Sequence, residues 1–73
     1  MGKRGGLIRN SIRDLREAAG GMTQQELADA VGITRQTVNA IEANKYSPSL
    51  EVAFEIARVF KAPLEKVFQY ANA

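Results

Sequence analysis

The chain has 73 residues, which allows one small domain, and a formal net charge of +2. It contains no cysteine and no histidine, which excludes disulfide bonds, cysteine-based zinc sites and nucleophilic catalysis by Ser-His or Cys-His pairs. No apolar run approaches the length of a membrane span, and the N-terminus has no signal-peptide core. We therefore expect a cytoplasmic protein that is not an enzyme and uses no cofactor, metal, membrane or small-molecule substrate.

The first segment of the chain is basic and lacks hydrophobic periodicity. Residues 1–6, MGKRGG, are expected to form a flexible basic arm, and residues 7–73 are predicted to form a single domain. The arm is either a disordered terminus or a segment that reaches phosphates or the minor groove of a nucleic acid.

A first helix is predicted from four apolar residues at helical spacing, which are Ile8, Ile12, Leu15 and Ala19. This helix should begin near Asn10 or Ser11 and end at Gly20-Gly21.

The segment Thr23–Ala43 contains two helix-start signals separated by a glycine. Thr23 can cap a helix together with Glu26 three residues later, which is the pattern of a capping box. Gly32 ends this helix, and Thr34 supplies a second N-cap. The pattern predicts helices at about 24–31 and 35–43 joined by a tight turn, which is a helix-turn-helix.

The second of these helices has an outer face without carboxylates. At about 100° per residue, this outer face comprises Arg35, Gln36, Asn39, Ala40 and Ala43. Solvated helix faces usually alternate acidic and basic residues. Arginine can bond both guanine O6 and N7, and Asn or Gln can bond adenine N6 and N7. We therefore expect Arg35, Gln36 and Asn39 to contact base edges of double-stranded DNA.

The remaining third of the chain begins with a polar loop. Asn44, Lys45 and Tyr46 could donate hydrogen bonds to phosphate, although Tyr46 could equally be a half-buried packing residue. A fourth helix capped by Ser49 has a wide apolar face, so it is either the central helix of the core or a helix that also packs against a partner. Pro63 is expected to start a last short helix.

The helix-turn-helix segment resembles that of small Cro/C1-type, or XRE-type, DNA-binding regulators. Gln24, Ala28 and Gly32 stand at the family's glutamine, small-residue and turn positions. The family's apolar positions are filled by Leu27, Val31, Ile33, Val38 and Ile41. The likeness extends over roughly residues 11–69.

This resemblance implies an all-α fold, a compact bundle of five short helices like the lambda-repressor DNA-binding domain. Short terminal strands are allowed, since some short relatives pair a segment such as Leu7–Arg9 with the C-terminus. The resemblance also implies a buried structural ion pair between Arg16 and Glu42, whereas the alternative is two solvated charges.

The predicted function is that of a sequence-specific transcriptional regulator, a repressor that binds a palindromic operator as a homodimer. The expected DNA-backbone contacts are Thr23, Gln24, Thr34, Thr37, Asn44, Lys45 and Tyr46. The dimer surface is expected among Phe54, Phe60, Phe68 and Tyr70 or on the wide apolar face of the fourth helix, although all of these residues could otherwise belong to the core. The alternative functions are an antitoxin or other protein-interaction module, and a scaffold that no longer binds nucleic acid.

Overall fold

The computed structural model describes residues 8–70, which form five short helices and two short strands. In chain order these are β1 (Ile8–Asn10), α1 (Ile12–Ala18), α2 (Gln24–Val31), α3 (Arg35–Glu42), α4 (Leu50–Phe60), α5 (Leu64–Val67) and β2 (Phe68–Tyr70). The predicted five-helix bundle with short terminal strands is confirmed. The predicted basic arm, residues 1–6, lies outside the described residues.

The two strands join the ends of the described chain. β1 and β2 pair antiparallel, with Ile8 opposite Tyr70 and Asn10 opposite Phe68. Among the described residues, the first strand is Ile8–Asn10, and α1 begins at Ile12. The side chain of Asn10 explains this start, because its Oδ1 accepts a hydrogen bond from the backbone N–H of Ile12 at 3.1 Å.

The predicted helix caps are present. Thr23 and Glu26 form the capping box, with each side chain accepting a hydrogen bond of 2.9 Å from the other residue's backbone N–H. Thr34 and Ser49 each cap their helix by accepting a hydrogen bond from a backbone N–H three residues later, at 3.1 and 3.2 Å. Pro63 is the N-cap of α5 and precedes its first residue, Leu64. These caps fix where α2, α3 and α4 begin.

The turn between α2 and α3 depends on the left-handed conformation of Gly32, whose φ is 83°. The backbone N–H groups of Gly32 and Ile33 both donate to the carbonyl of Ala28, at 2.8 and 3.0 Å. This arrangement closes the C-terminus of α2 in the manner that glycine allows without strain. Only Ile33 then separates the turn from Thr34, so α3 begins immediately afterwards.

The hydrophobic core receives residues from every helix. Its buried members are Ile12, Leu27, Ala28, Val38, Ile41, Ile56, Ala57 and Val67. The fourth helix is the central one, since α4 packs against both α2 and α5. Its apolar face nevertheless extends beyond the core, because Leu50 is 68% exposed and Phe54 is 53% exposed. Within residues 8–70, no helix is long and apolar enough to cross a membrane.

Candidate nucleic-acid interface

The outer face of α3 is directed to solvent by burial of the opposite side of the helix. Val38 and Ile41 are 1% and 2% exposed and anchor α3 in the core. On the other side, Arg35, Gln36 and Asn39 are all exposed. The structure therefore brings the three residues predicted to contact bases onto one accessible surface.

The carboxylate of α3 is withdrawn from this surface by an ion pair. Arg16 on α1 donates from Nε to Glu42 Oε2 at 2.7 Å and from Nη2 to Glu42 Oε1 at 3.1 Å. The two side chains are only 13% and 9% exposed. Arg16 Nη1 also donates to the carbonyl of Met22 at 2.8 Å, next to the N-cap of α2. The implied Arg16–Glu42 pair is thus present, and it links α1 and α3 with the segment that leads into α2.

The electrostatics of this pair favour the charged form of arginine. The hydrogen bond with Glu42 raises the pKa of Arg16 above its ordinary value, against the opposing effect of burial, and the negative charges of Glu42 and Glu17 add to the increase. Arg16 is consequently a permanent cation.

Gln24, the first residue of α2, joins two of the residues predicted to contact bases. Its Oε1 accepts a hydrogen bond from Arg35 Nη1 at 3.2 Å. Its Nε2 donates to Asn39 Oδ1 at 3.3 Å and to Glu42 Oε1 at 3.1 Å. The sequence had suggested only a DNA-backbone contact for Gln24. By contrast, Gln36 is exposed and forms no side-chain hydrogen bond with residues 8–70.

The predicted DNA-backbone contacts lie at the two ends of α3 and at the start of α2. At the N-terminus of α3, the hydroxyl groups of Thr34 and Thr37 are 2.9 Å apart. After its C-terminus, Asn44 has a left-handed backbone with φ of 62°, and Lys45 donates its backbone N–H to the carbonyl of Ala40 at 2.9 Å. Tyr46 is 54% exposed, which favours the interpretation that it is an accessible donor.

Asn10 supports the C-terminus of α3 from the strand pair. Its Nδ2 donates to the carbonyl of Ile41 at 2.8 Å and to Asn44 Oδ1 at 3.1 Å. This contact satisfies a carbonyl in the last turn of α3 and fixes the loop that carries Lys45. The local sequence pattern around Asn10 does not indicate this role, because the partner lies 31 residues away.

The aromatic residues predicted to form a dimer surface divide into two pairs. Phe54 and Tyr70 are 53% and 66% exposed. Phe60 and Phe68 are partly buried and pack against the core. Leu50, on the wide apolar face of the fourth helix, lies one turn before Phe54 on α4 and is even more exposed.

Comparison with known proteins agrees with this architecture. A family model described as helix-turn-helix matches residues 12–67. An uncharacterised HTH-type transcriptional regulator of Archaeoglobus fulgidus is 51% identical over 61 residues, which cover 84% of this chain and 86% of the relative. A protein of the same description from Methanocaldococcus jannaschii is 43% identical over 65 residues, covering 89% of this chain and 97% of the relative.

A bacterial relative and a solved structure extend the comparison. An uncharacterised HTH-type transcriptional regulator of Bacillus subtilis is 44% identical over 61 residues, covering 84% of this chain and 91% of the relative. A crystal structure of a Bacteroides fragilis protein, described as a proposed DNA-binding protein, matches with a TM-score of 0.73 at 22% identity. The match covers 85% of this chain and 98% of that one, and it shows a shared fold.

Fold, exposed helix face and relatives together define a small helix-turn-helix DNA-binding regulator, a class of protein that is not enzymatic. The chain belongs to the Cro/C1-type, or XRE-type, helix-turn-helix family.

The Arg16–Glu42 pair yields a stability prediction. Arg16→Ala leaves the Glu42 carboxylate buried without its partner, so the free energy of unfolding should fall by about 3 kcal/mol. Urea denaturation followed by circular dichroism measures this difference. Arg13→Ala is the control on the same helix, because the Arg13–Glu17 contact spans 3.8 Å between side chains that are 75% and 67% exposed. The control should change stability little, and equal losses in the two variants would contradict the assigned importance of the buried pair.

Proposed function

We propose that this protein is a sequence-specific repressor that binds double-stranded DNA as a homodimer, with α3 in the major groove. The main supporting observation is that α3 exposes Arg35, Gln36 and Asn39, while Glu42, its only carboxylate, is held by Arg16. A helix surface that faces DNA must offer hydrogen-bonding groups without adding negative charge beside the phosphates. Repression then requires only that the bound protein occupies the operator.

In this proposal, the outer face of α3 contacts base edges directly. The major groove is about 12 Å wide and accepts one α-helix. Ala40 and Ala43 have short side chains, so the backbone of α3 can come close to the groove floor between the longer polar residues. Arg35 and Gln36 lie in the first turn of α3, and Asn39 lies one turn later.

Backbone contacts would hold α3 at both ends. Thr23 and Gln24 begin α2, and Thr34 and Thr37 belong to the start of α3, where free N–H groups favour phosphate. At the opposite end, Asn44, Lys45 and Tyr46 follow α3 directly and offer one cation and two polar side chains. Such contacts orient the helix without selecting a sequence.

A homodimer would supply the surface area that one small module lacks. Single modules of this kind bury less protein surface than tight specific binding needs. Two copies related by a two-fold axis would bind half-sites about 34 Å apart in a palindrome. We place the dimer surface at Leu50, Phe54 and Tyr70, which are the exposed large hydrophobic side chains among residues 50–70, with Phe60 and Phe68 as partly buried support.

Substitution on the outer face of α3 tests the base contacts. Arg35→Ala and Gln36→Ala should each lose about 1–3 kcal/mol of discrimination at one operator position, because a base contact disappears. Selection of bound duplexes from a random library, followed by titration of the selected and random sequences, measures this loss. Affinity and selected sequence that both stay unchanged would show that α3 is not the recognition helix.

Removal of a phosphate contact should have a different signature. Lys45→Ala should weaken binding to selected and random duplexes alike. The slope of log K against log salt is negative, and its magnitude should decrease by about one unit. A salt titration of both duplexes gives the slope. Lys61, an exposed lysine after α4 and distant in sequence from α3, supplies the matched control Lys61→Ala. Identical slopes for Lys45→Ala and wild type would show that Lys45 does not contact phosphate.

The dimer surface is tested by placing a charge on it. Phe54→Asp should reduce the protein bound per palindromic duplex from two copies to one at limiting concentration, since a carboxylate would have to be buried between protomers. Sedimentation of the DNA complex gives the stoichiometry. Glu55→Ala is the control, because Glu55 is the next residue along the chain and lies on the polar, solvent-exposed side of α4. Two bound copies of Phe54→Asp with unchanged affinity would exclude this surface.

A further inference from the structure

We infer that Glu42 and Gln24 orient the side-chain amide of Asn39 and thereby set the base preference at the position that Asn39 contacts. This inference rests on the proposed function and deepens it. It gives Glu42 a second role beyond its ion pair, as a positioning residue that acts through Gln24.

The orientation of the Gln24 amide is determined from two sides. Glu42 Oε1, 3.1 Å from Gln24 Nε2, belongs to a carboxylate that can only accept hydrogen bonds. Arg35 Nη1, 3.2 Å from Gln24 Oε1, belongs to a guanidinium that can only donate. Rotating the Gln24 amide by 180° would place its carbonyl against the carboxylate and its NH₂ against the guanidinium. Both neighbours therefore demand the same orientation.

The fixed Gln24 amide in turn orients Asn39. Gln24 Nε2 also donates to Asn39 Oδ1 at 3.3 Å, so the carbonyl of Asn39 faces Gln24. The NH₂ of Asn39 is then left to point away from Gln24, on the exposed side of α3. An outward NH₂ matches the acceptors O6 and N7 of guanine or O4 of thymine, whereas the bidentate contact with adenine also uses the asparagine carbonyl. Asn39 should accordingly favour a base edge that offers acceptors.

The series of contacts begins at the Glu42 carboxylate, which is held in place by Arg16. Glu42 is 9% exposed and receives two hydrogen bonds from Arg16, which is itself held by the carbonyl of Met22. Gln24 is partly buried, and Asn39 is exposed. A largely buried carboxylate thus fixes the direction of an exposed amide that would otherwise rotate freely in water.

Selection from a random duplex library tests the inference on wild type and four variants. Asn39→Ala and Gln36→Ala first identify the operator positions that depend on each residue. Gln24→Ala should then lower discrimination about tenfold at the Asn39 position and leave the Gln36 position unchanged. Glu42→Gln should have a smaller selective effect at the same position, because a neutral amide beside Gln24 no longer demands one orientation, whereas Arg35 still does. Should Glu42→Gln fail to fold, Gln24→Ala, which alters only a partly buried side chain, remains a complete test.

Two outcomes would overturn the inference. Gln24→Ala that weakens all sequences equally, with an unchanged motif, would make Gln24 only a contact to the DNA backbone. Discrimination lost equally at the Gln36 position would show general disruption of α3 instead of a specific effect on Asn39.

A measurement on the free protein separates this inference from the proposed function. The side-chain amide signals of Asn39 in a ¹H–¹⁵N spectrum should shift in Gln24→Ala and Glu42→Gln, while those of Gln36 should not. Unchanged Asn39 signals would overturn the inference that Glu42 and Gln24 orient Asn39, even if the protein binds DNA specifically. A wild-type protein that selects no sequence would overturn the proposed function, and the assigned base preference with it.

Discussion

The ion pair between Arg16 and Glu42 is the constraint on which the arrangement of the binding surface depends. Glu42 is the last residue of α3, where the negative end of the helix dipole disfavours a carboxylate. The positive charge of Arg16 offsets both the Glu42 carboxylate and the partial negative charge at the C-terminus of α3. Arg16 also draws this carboxylate away from the outer face. Buried pairs contribute more to geometry than to net stability. Its value here is that α1, α2 and α3 meet at one fixed point, since Glu42 also accepts a hydrogen bond from Gln24, the first residue of α2.

A second set of polar contacts also holds the C-terminal end of α3. Asn10 contacts the carbonyl of Ile41 and the side chain of Asn44, so the strand pair is connected to the C-terminal end of α3. Between these polar contacts, Val38 and Ile41 bury the inner side of the helix. The helix is therefore fixed in rotation by hydrophobic packing and at its end by hydrogen bonds, which leaves the outer face accessible but defined.

The sequence predicted what depends on neighbouring residues. Caps at Thr23, Thr34 and Ser49 and the turn at Gly32 follow from local chemistry, and the Arg16–Glu42 pair was implied by resemblance. Contacts between distant segments could not be predicted in this way. Gln24 and Asn39 are 15 residues apart, and a projection of α3 alone shows only which residues share its outer face. The exposure of Leu50 could not be predicted either, because packing partners decide which edge of a wide apolar face the core covers.

That uncovered edge bears on how the proposed dimer would assemble. Leu50, Phe54 and Tyr70 are more than half exposed, so burying them completely would gain about 3–6 kcal/mol per protomer, or about 6–12 kcal/mol per dimer. Association costs an estimated 4–15 kcal/mol in lost freedom and side-chain ordering. The two terms are comparable, so free protomers would pair weakly. Adjacent half-sites bring two protomers together on the same duplex and raise their effective concentration, so pairing becomes favourable where a palindrome is present. The apolar surface would then contribute to specificity, because only correctly spaced half-sites would bring it into contact.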